Sequence, residues 1–193
     1  MIFPSAAAVL AALNASALAA TTSSATSGAL PVARDTSIIY NARICANNIR
    51  CASIDQGQKE NLITGKDDES EVRILLGFDL PLAKPTKCTL VIPRILSSVK
   101  VNHTLTVSLT DNSWDELTAN GFTKSNISEE VGRIYVEGSD KSAKQIDVSK
   151  ACLEAKDGRL SLFVDSDNPA IMFDSRESTN AAKQVFALKY SSE

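Results

Sequence analysis

The stretch Val72-Arg73-Ile74-Leu75-Leu76-Gly77-Phe78-Asp79-Leu80 puts Val72, Ile74, Leu76, Phe78 and Leu80 on one side of an extended chain. Arg73, Leu75, Gly77 and Asp79 fall on the other side. Side chains alternate across a strand but recur every 3.6 residues on a helix, so this sustained period of two demands a half-buried strand. Pro81 and Pro85 end it, because proline has no amide to give a sheet ladder. Similar short runs recur at residues 36–40, 61–64, 88–95, 104–109, 134–137, 145–148, 160–164, 170–174 and 185–190. Turn chemistry such as Asp157-Gly158 and Ser166-Asp167-Asn168-Pro169 separates them. The pattern predicts an all-β chain, an antiparallel, jelly-roll-like β-sandwich. One or two short helices are expected with it. Residues 149–155, with Ser149 as N-cap, suit one of them, and residues 114–119 suit a single turn.

The N-terminus sets the expected compartment. Residues 2–20 carry no charged side chain and include AAAVLAALNASALAA, closed by Ala17-Leu18-Ala19. An apolar core followed by an A-x-A pattern reads as a signal peptide over residues 1–19. Asn14 and Ser16 interrupt the run, whereas a bilayer span needs ~20 mostly apolar residues, so no membrane insertion is expected. Residues 20–34 open with the small, hydroxyl-rich TTSSATSG and are expected to form a flexible lead-in. The folded domain is then residues 35–193.

Cys45, Cys51, Cys88 and Cys152 make an even count, which in a secreted chain reads as two disulfides. Three pairings are open. The short ANNIR spacer between Cys45 and Cys51 favours a local bridge, which leaves Cys88 for Cys152. Asn102-His-Thr and Asn126-Ile-Ser are N-glycosylation sequons. Signal peptide, cysteines and sequons all point outside the cell.

Catalytic chemistry finds little support. His103 is the only histidine, and its place within the Asn102 sequon implies a surface residue. A Ser-His-Asp arrangement needs a partly buried imidazole oriented by a carboxylate. Asp165-Ser-Asp167-Asn168 resembles the start of an EF-hand loop, but Pro169 and Ala170 occupy its glycine region and Arg176 its twelfth position. That loop is rejected and no cofactor is expected. A structural calcium held by a different oxygen cage, drawing on Asp165, Asp167 or Asp35, stays open beside the favoured reading of a solvated turn. Trp114, the sole tryptophan, is expected in the core, because burying an indole removes a large apolar area from water.

Several short pieces then fall in a recognisable order: Asp35-Thr-Ser-Ile38, Arg73-Ile-Leu-Leu-Gly-Phe78-Asp79-Leu80, Trp114-Asp-Glu116, Asp147-Val148-Ser149 and Ser175-Arg176-Glu177. From Asp35 to Tyr190 the chain resembles the DNRLRE-domain family, also classed as carbohydrate-binding module family 96. The resemblance implies a non-catalytic β-sandwich that binds polysaccharide, with basic side chains holding acidic polymers. Arg73, Arg94 and Lys100 are the ligand-binding candidates, with Lys84 and Lys87 nearby. Asp79, Trp114, Glu116, Asp147, Arg176 and Glu177 read as structural, holding strand ends and turns. A net charge of −3 opposes a polyanion unless cations cluster, and no nucleic-acid partner is expected. The rival reading is an adhesive extracellular surface protein that binds protein partners. A polysaccharide lyase stands behind both.

Overall fold

The computed structural model describes residues 26–40, 56–66, 71–97, 100–120, 126–168 and 171–192. The first sheet is made of β1 (Thr26–Pro31), β11 (Ala187–Ser192), β5 (Lys87–Ile92) and β8 (Lys144–Asp147), in that spatial order. The second runs β10 (Ile171–Asp174), β3 (Asn61–Lys66), β4 (Glu71–Asp79), β9 (Arg159–Ser166), β6 (His103–Thr110) and β7 (Ile127–Val136). On it, β2 (Arg34–Tyr40) also pairs with β4. All these pairings are antiparallel, so the expected all-β sandwich is the observed one.

The alternation in β4 fills the space between the sheets. Ile74, Leu76 and Phe78 pack with Leu162 and Val164 of β9 and with Leu90 and Leu188 of the smaller sheet. At the larger sheet's far edge, β7 crosses close to β8. A Cβ on Gly132 would stand 2.3 Å from Ile146 Cγ2, so only glycine allows this approach. A single helix occurs among the described residues, α1 (Ser149–Glu154). The Cys88–Cys152 disulfide fastens it to β5 across 6.3 Å between Cα atoms, the pairing that the cysteine spacing left over. Cys45 and Cys51 lie outside the described residues, as does the segment read as a signal peptide.

Three expectations change. The sandwich already includes Thr26–Pro31, ahead of Asp35, because β1 pairs along its whole length with β11. Backbone pairing holds this strand, with Leu30 packed against the core and the Thr26 hydroxyl bonded to that of Ser192. Ser149 is no N-cap but the first helical residue; its Oγ accepts the Cys88 amide and donates to Asp147. Residues 114–119 do form the single turn expected, closed by the Ala119 amide on the Asp115 carbonyl at 2.8 Å. Finally, Leu75 and Gly77 are buried, not solvent-facing, so β4 is covered on both sides.

Candidate functional site

What covers β4 is Trp114. Its indole packs on Ile38, Leu75 and Phe163 in a second apolar cluster on the outer face of the larger sheet. The Nε1–H donates to Ser161 Oγ at 2.9 Å, and that hydroxyl donates to Asn112 Oδ1 at 2.7 Å. Arg34 stacks over the ring, 4.4 Å from its centroid, and its Nη1 donates to the Trp114 carbonyl. Trp114 is therefore a core residue, as expected, and its burial removes this part of the face from any ligand.

The three cations chosen from sequence sit apart. Arg73 lies on the larger sheet beside this cluster, held by Glu71 at 2.6 Å and by Asp165 at 3.0 Å. Arg94 is half-buried in the crossover from β5 to β6, its Nε enclosed without a partner. Lys100 is exposed at the end of that crossover, its backbone against Gly138. His103 is a correction: it is 1% exposed. It opens β6, whose Leu105 and Val107 point into the core, and the two-residue period turns His103 the same way. Its Nδ1 lies 3.3 Å from the Val101 carbonyl, and its Nε2 is buried without a partner. Asn102 and Asn126 are both exposed, and Asn102 Oδ1 accepts the Gly138 amide.

Three of the residues read as structural, Glu116, Arg176 and Glu177, meet Asp35 at the free edge of β2, whereas Asp79 and Asp147 lie elsewhere, at the end of β4 and on β8. Glu116 Oε1 accepts the Asp35 amide at 2.7 Å, and the Glu116 carboxylate takes a two-pronged bond from Arg176. Asp35 Oδ2 accepts the Arg176 amide at 3.0 Å, and Glu177 pairs with the same guanidinium at 2.7 Å. Burial pushes the Asp35 carboxyl up to about 7; the Arg176 amide works against this, while Glu177 and Glu116 add to it. Gly57 lets the Glu116 loop close, since a Cβ there would lie 2.0 Å from the Glu116 carbonyl oxygen. Asp165 and Asp167 are not part of this cluster. Asp165 serves Arg73, and Asp167 Oδ1 accepts the Thr104 amide.

Two surfaces among the described residues offer room for a ligand. One is a pocket of about 640 Å³ at the end of the sandwich, lined by Asn112, Asn126, Lys156 and Arg159 with the acids Asp111, Glu154 and Asp157. Its acids outnumber its cations. The other is the outer face of the smaller sheet. Alternation turns Ser27 and Ala29 of β1, Lys189 and Ser191 of β11, and Lys87 and Thr89 of β5 outward. Most of these side chains are small, so the floor is low, and Lys87, Thr89, Lys189, Tyr190 and Ser191 line a shallow depression of about 150 Å³. Thr89 pairs with Lys189, and Lys87 with Ser191, which makes the two lysines diagonal neighbours roughly 7–8 Å apart. Neither is in an ion pair among the described residues. Asp147, opposite Thr89, has its carboxyl held below the usual range chiefly by hydrogen bonds from the Ser149 hydroxyl and amide, which outweigh its burial, with Lys87 adding a smaller pull. Sequence reasoning passed over Lys189, although alternation through residues 185–190 already set it opposite the core-facing Leu188.

A family model described as carbohydrate-binding module family 96 matches residues 48–189, most of the chain. No curated protein matches it.

Proposed function

The chain belongs to carbohydrate-binding module family 96, and from that premise we propose that it works outside the cell as a non-catalytic module. Its ligand is an acidic polysaccharide, held on the outer face of the smaller sheet. The observation that carries this reading is the diagonal pair of Lys87 and Lys189, two cations on adjacent strands with no ion-pair partner among the described residues. A polyuronate laid across β11 and β5 meets both ammonium groups, and bonds between ammonium and carboxylate are the stronger, charge-assisted kind. The hydroxyls of Thr89 and Ser191 both donate and accept, which suits sugar hydroxyls. The net charge of −3 does not forbid this. Charges more than about 8 Å away are largely screened at physiological salt, so the local cations set the field.

Secretion is supported by the apolar N-terminal run, by sequons at exposed Asn102 and Asn126, and by the Cys88–Cys152 disulfide, a bond that persists in oxidising compartments. A non-catalytic role is supported by His103, whose imidazole is buried against a carbonyl and has no carboxylate partner among the described residues.

The test is a titration of the protein without residues 1–19 against alginate, pectate, chitin and a neutral glucan, at low and high salt. The expected result is binding to the polyuronates that weakens as salt rises. Failure to bind any of the four overturns the reading. Salt-insensitive binding to chitin overturns the cationic mechanism.

A further inference from the structure

Asp35, Glu116 and Glu177 come from β2, from the turn after Trp114 and from the turn after β10, yet each presents an oxygen within 4.8 Å of the others. Asp35 is 1% exposed; one oxygen accepts the Arg176 amide and the other, Oδ1, has no partner. Glu177 Oε2 is likewise buried without a partner. Buried carboxylate oxygens ordinarily find a donor, and two orphans in one cluster mark a place where something positive is missing. The donors already there do not fill it: Arg176 spends its Nε and Nη2 on Glu116 and Glu177, and its amide on the other Asp35 oxygen.

We propose that Asp35, Glu116 and Glu177 bind one calcium ion, which ties the free edge of β2 to the Trp114 turn and to the turn after β10. The ligand set is all hard oxygen with no histidine or thiol, which selects calcium or magnesium over the softer transition metals. Once all three are ionised, the carboxylates outweigh the one guanidinium in contact with them among the described residues by two charges, and a divalent ion balances these. Oxygens within 4.8 Å of one another can share one ion, and calcium accepts them in a flexible shell, whereas magnesium demands a near-ideal octahedron and gives up its water reluctantly. Glu116 keeps lone pairs for the ion after accepting Asp35 and Arg176. The rest of the six to eight positions calcium takes fall to water and backbone carbonyls.

The experiment uses the protein without residues 1–19, stripped with EDTA and free of polysaccharide, so its outcome is independent of the binding screen above. Terbium is the first probe, because Trp114 lies two residues from Glu116 and can sensitise a lanthanide bound there. Excitation of the indole should produce terbium emission that calcium displaces, with magnesium needing at least ~10-fold higher concentration. Millimolar calcium should raise the melting temperature of the wild type by several degrees, and Glu177→Gln should abolish both signals. The opposite result is no sensitised emission from the folded wild type together with identical melts in calcium and EDTA. That overturns the proposal and leaves Asp35 and Glu177 sharing a proton. Should Glu177→Gln fail to fold, the terbium and calcium arms on the wild type decide alone.

Discussion

Arg176 lies across Glu116, its Nη2 2.5 Å from Oε2 and its Nε 3.0 Å from Oε1. Glu116 is nearly buried and also caps the Asp35 amide on the free edge of β2. Arg176→Ala strands that carboxylate in a poorly hydrated place, and an unsatisfied buried group costs about 1–3 kcal/mol. Arg176→Lys keeps the charge but loses the planar fork, so it should recover only part of the loss. Urea denaturation measures both variants. Stability equal to wild type in Arg176→Ala would show that the pair is only a surface contact.

Trp114 should tolerate shrinkage badly. Trp114→Ala exposes Leu75 and Phe163 on the outer face and leaves Ser161 without its donor, at a cost of about 3–5 kcal/mol. Trp114→Phe keeps most of the apolar contact but loses the indole donor, so about 1–2 kcal/mol is expected. Equal losses in the two variants would mean that the hydrogen bond, and not the packing, carries the residue's contribution.

The same tryptophan shows where sequence reading ends. Alternation located β4 and chose its core face correctly, because a period of two is written within the strand. It assigned Leu75 and Gly77 to solvent because their cover arrives some forty residues later in the chain, and no local pattern records that. Strand β1 was missed for a related reason. TSGALP, residues 26–31, has no clear alternation to display, and it is held by backbone bonds to β11 at the opposite end of the chain. The acidic first half of β7, whose pairing with β6 shifts register between Val107 and Ser108 and between Leu109 and Thr110, hid from the same test. Asp35, Glu116 and Glu177 were each legible as strand-end or turn residues. That they meet depends on the topology, which places β2, the Trp114 turn and the turn after β10 together.

The Cys88–Cys152 bridge closes a loop with a sequence separation of 64 residues. Removing that constraint from the unfolded chain should cost about 4 kcal/mol by the loop-entropy relation. Cys88→Ser with Cys152→Ser should therefore lower the free energy of unfolding by that order, with α1 loosened first because the bridge holds it to β5. Hydrogen exchange at the α1 amides reads this directly. Protection there equal to wild type would sink the idea that the disulfide anchors the helix.

Asp165 gives stability a pH dependence. Burial raises its carboxyl to about 6 despite the attraction of Arg73, with Glu71 adding to the rise. The folded state thus holds this proton more tightly than the unfolded chain does. The resulting stabilisation is fully present below the ordinary aspartate range and is lost as pH rises through about 6. The free energy of unfolding should decline between about pH 4 and pH 6, and Asp165→Asn, which cannot titrate, should flatten that part of the profile. An identical slope in the variant would assign the effect elsewhere.

Lys87 and Lys189 allow the sharpest comparison with the cation first chosen from sequence. Arg73 already holds Glu71 and Asp165, so an incoming uronate would have to displace carboxylates bound at 2.6 and 3.0 Å. Among the described residues the two lysines form no ion pair, Asp147 attracting Lys87 only weakly, and they stand on a low-lying face. Lys87→Ala or Lys189→Ala should each weaken polyuronate binding by about tenfold, the loss of one charge-assisted bond of roughly 1.5 kcal/mol. Arg73→Ala should change affinity less than twofold while lowering stability through the loss of its two partners. The lysine variants should also show a shallower dependence of affinity on salt, because each removes one cation from the contact. Arg159→Ala, in the pocket at the sandwich end, separates the two surfaces. If it abolishes binding while both lysine variants bind normally, the ligand belongs in that pocket and the smaller sheet's face has no part in recognition.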